Sequence, residues 1–138
     1  MNRTRIPFSL ITFSAVAQTL GYLSALPNHV GDPTWSAHAQ FHLVLSWIWL
    51  VGLNGLILAI TWGPARRGER WALWTALGGY VIAQGGHFLS VLLLWDGRPT
   101  ETWYYFALAA VALVGLEGFR ELWQLFPQPK RTDTASPS

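Results

Sequence analysis

The chain contains no cysteine, so it can form no disulfide, no thiolate metal centre and no thiol nucleophile. It is also poor in charge: only 12% of its 138 residues are Asp, Glu, Lys or Arg. A soluble domain carries about twice that share, and too few charges remain here to cover a water-facing surface. There is no Gly-rich phosphate loop, no serine elbow and no basic stripe interleaved with aromatics. Nucleotide binding, serine hydrolysis and nucleic-acid recognition by those routes are therefore not indicated. Sustained period-two alternation is missing as well, which argues against membrane strands.

What the chain does have is apolar mass. Hydrophobic residues make up 51% of it and aromatic residues 14%, including nine tryptophans, a composition opposed to disorder. Its length suits one compact unit. Four long apolar runs can be read directly, over residues 7–26, 36–62, 71–95 and 102–126. Each reaches the roughly 20 residues a helix needs to cross a hydrocarbon core. Backbone groups in lipid must be satisfied within their own segment, so the runs are expected to be helices. The expected fold is an all-α integral membrane four-helix bundle. Pro27-Asn28, Asp32-Pro33-Thr34, Gly63-Pro64, Asp96-Gly97-Arg98-Pro99 and Pro127 punctuate it, and Ser36 is placed to cap the second helix. Residues 128–138 read as a disordered cytoplasmic tail.

Basic residues set the orientation. Arg3, Arg5, Arg66, Arg67, Arg70, Arg120, Lys130 and Arg131 fall on one side of a four-span layout, and Arg98 alone falls on the other. Both termini are expected in the cytoplasm, in a multi-pass protein of the plasma membrane. Trp35, Trp62, Trp71, Trp95, Trp103 and Trp123 sit near run ends, where amphipathic rings favour the headgroup region. The basic start and first apolar run also resemble a cleaved signal peptide. However, the run is long for a signal core, and Leu23-Ser24-Ala25 is a poor cleavage site. It is expected to stay as a working helix.

Polar residues inside such runs are costly and therefore informative. At 1.5 Å per residue, His42 should lie about 9 Å and His38 about 3 Å below the outer surface, with His87 about 12 Å below it. His38 and His42 are four apart and share a helix face. Ser14, Gln18 and Tyr22 form one stripe, and Tyr80, Gln84 and His87 another. The matched depths predict an outer-half cavity lined by Gln18, His38, His42, Gln84 and His87. Plainer roles stand beside this one: His38 as a water-exposed interfacial residue, and Gln18 and Gln84 as interhelical hydrogen-bonding groups. Gly78, Gly79, Gly85 and Gly86 read as packing positions ahead of room for a flat ligand. Glu117 is expected in a structural pair, with Asn54 at similar depth or with Arg120 three residues on.

Three classes of function follow. An apolar pocket with convergent polar groups suits a lipid, isoprenoid or quinone-like molecule. His42, His87 and Glu101 would then do acid–base work, with Gln18, Tyr22, His38 and Gln84 as binding residues. Alternatively His38, His42 and His87 could ligate a transition metal, or His42 and His87 a haem. Ala39 stands where a zinc-protease helix has its Glu, which disfavours peptide hydrolysis. The third class is a non-catalytic small subunit that assembles with itself or with a membrane partner protein.

The run Asp32-Pro33-Thr34-Trp35-Ser36-Ala37-His38-Ala39-Gln40-Phe41-His42 resembles a motif of small, poorly characterised four-span membrane proteins. Their second span opens on Asn-Pro-x-Trp-x-x-His-Ala-x-Phe-His, and this chain departs in having Asp32 in place of Asn. The resemblance implies a four-span layout and gives weight to His38 and His42. It implies no activity.

Overall fold

The computed structural model describes residues 5–94 and 102–126. Among them all regular structure is helical: α1 (Ile6–Ala25), α2 (Ala37–Trp62), α3 (Arg70–Leu94) and α4 (Thr102–Gln124), with short 3-10 turns at Leu26–Asn28 and Ala65–Arg67. The four apolar runs thus form four helices. Glu101, Trp95 and the tail at 128–138 lie outside the described residues.

The helix ends follow local chemistry. Pro7 sits in the first turn of α1, where its missing N–H leaves no bond unmade. Ser36 has extended backbone, and its Oγ accepts from Ala39 N at 3.2 Å, so it is the N-cap of α2. Between α2 and α3, Gly68 adopts φ +87°, a left-handed turn that a side chain would strain.

Successive helices run antiparallel, which gives the bundle an arginine end and a histidine end. At the arginine end the Phe8 ring packs on Trp62 at 5.3 Å and Trp74 on Trp123 at 5.0 Å. The apolar core begins here, with Phe8, Ile11, Ile57, Leu73, Tyr80, Phe119 and Leu122 all buried. α1 packs most extensively on α4 and α2 on α3. The α1–α4 approach is close because Gly118 faces it: a Cβ there would lie 2.9 Å from the Pro7 carbonyl oxygen.

Burial fades toward the histidine end. The buried residues of α2 are Asn54, Ile57 and Thr61, all in its second half. The axial offset of α2 against α1 explains part of this. Asn54 bonds to Ala15, Gln18 and Thr19, and Trp62 to Thr12. Continuing that register at 1.5 Å per residue brings the end of α1 level with about residue 46 of α2. The first turns of α2 therefore rise beyond α1, beside the loop at 26–36.

Among the described residues two helices with their following turns, Ile6–Asn28 and Ala37–Arg67, are long and apolar enough to cross a membrane.

Candidate functional site

The polar stripes of α1 and α3 meet inside the bundle. Ser14 Oγ donates to the Val111 carbonyl at 2.7 Å and lies 2.6 Å from the Tyr80 hydroxyl, which donates to the Ala112 carbonyl at 2.9 Å. One turn further, Gln18 Nε2 donates to Gln84 Oε1 at 3.1 Å. Asn54 Nδ2 donates in turn to Gln18 Oε1 at 3.1 Å, to Thr19 Oγ1 at 3.0 Å and to the Ala15 carbonyl at 3.2 Å. Ser14, Gln18, Tyr80, Gln84 and Asn54 are all buried. These amides act on one another, so they bind helix to helix rather than lining an open cavity.

That decides between the two partners expected for Glu117. Asn54 pairs with Gln18, not with Glu117, because its level on α2 matches the middle of α1 once the axial offset is included. Glu117 is exposed and makes an ion pair with Arg120 at 2.5 Å, the structural pair three residues along.

The histidine end is organised by the motif residues. Asp32 Oδ1 accepts from Thr34 N at 2.8 Å and from Thr34 Oγ1 at 2.7 Å. These bonds to the charged form hold its carboxyl below the usual carboxylate range. Gln40 closes the loop: its Oε1 accepts from Gly31 N at 3.0 Å, and its Nε2 donates to the Asp32 and Trp35 carbonyls at 3.0 and 3.2 Å. Gly31 supplies the positive φ that this turn needs, at +88°. His29 stacks on Trp35 with ring centres 4.7 Å apart.

His38 and His42 stand on the exposed surface of α2, with Nε2 atoms 3.1 Å apart and rings edge to face. They share a face, as their spacing predicts. They do not share a cavity with Gln18 and Gln84, because α2 carries them past the end of α1. The step in depth from His42 to His87, expected at about 3 Å, is wider here. Gly79 of α3 faces Leu53 and Ile57 of α2, so this antiparallel register puts His87 level with about residue 47. That is about 7–8 Å inward of His42 along the axis. The backbone of His87 lies in α3, and its side chain is not among those described.

One large groove lies between these two regions. It has a volume of about 560 Å³ and is lined by Tyr22 of α1, by Ser46, Trp49, Leu50, Gly52, Leu53 and Leu56 of α2, and by Ala83 and Gly86 of α3. Of the residues the sequence singled out, Tyr22 lines it, half-buried, together with Gly86 of the α3 glycines. His42 is one turn beyond its end: Ser46 Oγ donates to the His42 carbonyl at 2.7 Å. Sequence reasoning passed over Ser46, Leu50 and Leu53 because an apolar stripe facing a groove has the same helical period as one facing a neighbour.

The glycines of α3 divide. A Cβ on Gly79 would lie 3.3 Å from Ile57 Cγ1, so that glycine serves packing, whereas Gly78, Gly85 and Gly86 have no such neighbour within 4 Å. Gly86 borders the groove instead. Among the described residues no set of three or more His, Asp or Glu is arranged to hold a metal ion. Compared with protein-family models, curated proteins and solved structures, the chain matches none.

Proposed function

We propose that this is a four-span integral membrane protein with both termini in the cytoplasm, and that its α2–α3 groove binds an apolar molecule of lipid, isoprenoid or quinone type. One observation carries the membrane reading: large apolar side chains cover the outer surface of all four helices. Two buried glutamines and a buried asparagine occupy the middle, while Phe13, Trp49, Ile82, Leu93 and Phe106 are more than half exposed. Water would penalise that outer surface, and lipid does not. The charges support the same reading. Arg5, Arg66, Arg67, Arg70 and Arg120 gather at one end, the side expected to face the cytoplasm.

The groove has the size of a small-molecule site, and its wall is mostly hydrocarbon. Tyr22 and Ser46 add two hydroxyls to that wall. A ligand lying along α2 would keep its tail on Leu50, Leu53 and Leu56 and bring a polar head past Ser46 toward His42. In this reading His42 is the group placed to exchange a proton with that head.

The test is photolabelling in membranes with a diazirine-bearing isoprenoid quinone. Labelling should concentrate on the α2 peptide containing Trp49, Leu50 and Leu53, and Gly52→Phe should suppress it. Gly52 lines the groove and nothing lies within 4 Å of a Cβ there, so a ring is introduced at the groove wall from an unobstructed position. Labelling spread over all four helices, or unaffected by Gly52→Phe, would show that the groove holds only bulk lipid.

A further inference from the structure

Within the turn and first helical turns at 31–42, most polar side chains have a local structural task. Asp32 holds Thr34, Ser36 caps α2, and Gln40 ties the loop to the helix. His38 and His42 take no part in that arrangement. Their rings meet each other, and the His42 ring also meets Phe41 at 5.5 Å. Both are exposed, so each imidazole could hydrate freely, and a hydrogen bond between them adds little to stability.

We infer that His38 and His42 form a two-nitrogen chelate for a divalent transition metal at the histidine end. Two imidazole nitrogens bind a metal at about 2.0–2.1 Å each. With the nitrogens 3.1 Å apart, such an ion would see them at an angle of about 95–100°. That value lies between the octahedral and tetrahedral angles, so the nitrogen spacing suits one ion once both imidazoles carry their proton on Nδ1 and the bond between them gives way to the metal. A single helix supplies both ligands at i and i+4, and the capped, clamped start of α2 holds that helix in place. The remaining coordination positions belong to water or to a donor from outside the chain. Imidazole nitrogen favours Cu²⁺, Ni²⁺ and Zn²⁺ over Mg²⁺ and Ca²⁺, and among them Cu²⁺ should bind most tightly. The chelate shares His42 with the groove reading: a bound metal would occupy the His42 Nε2 that otherwise exchanges a proton, while the Cu²⁺ experiment itself needs no ligand in the groove.

The experiment uses the full-length protein in mild detergent, stripped with chelator and loaded with Cu²⁺. Its electron paramagnetic resonance spectrum should show hyperfine coupling to two nitrogens. Equilibrium dialysis should show saturable Cu²⁺ and Zn²⁺ binding that His38→Gln and His42→Gln each abolish and that His29→Gln retains. Helix content and melting temperature of the variants should match the parent protein, since both rings lie on the exposed surface. A Cu²⁺ spectrum without coupling to two nitrogens would overturn the chelate, whatever the variants do. Saturable binding that survives both His38→Gln and His42→Gln would overturn it equally.

Discussion

Replacing Gly118 with alanine adds one methyl group where α4 lies against the backbone of α1. The new Cβ would lie 2.9 Å from both the Pro7 carbonyl oxygen and Ile11 Cγ1, and 3.0 Å from Ile11 N. Pro7 and Ile11 are four apart in α1, so the methyl presses on a backbone N–H···O=C pair rather than on a mobile side-chain tip. Ordinary contact needs about 3.5–4.0 Å, and α1 and α4 would have to part by about half an ångström or more. Gly78→Ala is the matched control, because nothing lies within 4 Å of that Cβ. Both changes remove a helical glycine and gain about 0.5–1 kcal/mol of helix preference over Gly, so this gain cancels between them. What is left is the overpacking cost at Gly118, about 1–3 kcal/mol. Gly78→Ala should therefore be neutral or slightly stabilising and Gly118→Ala destabilising, with equilibrium constants about 5- to 150-fold apart. Unfolding in mixed micelles of mild detergent and dodecyl sulfate, followed by circular dichroism, measures both. Equal midpoints for the two variants, or a lower one for Gly78→Ala, would refute the α1–α4 packing described above.

Asn54→Leu removes the amide that joins α2 to Gln18, Thr19 and the Ala15 carbonyl. Interhelical hydrogen bonds in bilayers contribute about 0.6 kcal/mol on average, so a loss of about 1–2 kcal/mol is expected in the same unfolding assay; an unchanged midpoint would mean the network does not hold the helices. Orientation can be read on this cysteine-free chain with single exposed cysteines. Pro33→Cys should react with an impermeant maleimide from outside intact cells, and Arg66→Cys only after permeabilisation; the reverse pattern would invert the topology.

The number and kind of elements were legible without coordinates. Four apolar runs separated by Pro, Gly and Asn clusters leave helices as the form that satisfies their backbones, and the helical period alone put Ser14 with Gln18 and Tyr80 with Gln84 on common faces. Spacing likewise paired His38 with His42, because residues four apart on one helix have no freedom to separate. Anything that depends on how one helix slides along another was decided by tertiary structure. A helical period carries phase but no axial origin, so depth counted from each run's own end placed His42 beside His87 and Asn54 beside Glu117. The contacts of Asn54 with α1 shift α2 outward, set Asn54 on Gln18 and carry both histidines beyond the end of α1. The glycines divide for the same reason. Gly79 and Gly118 meet a neighbouring helix and Gly78 meets open space, and no local signal distinguishes them, because the atoms that would collide belong to residues far away in the chain.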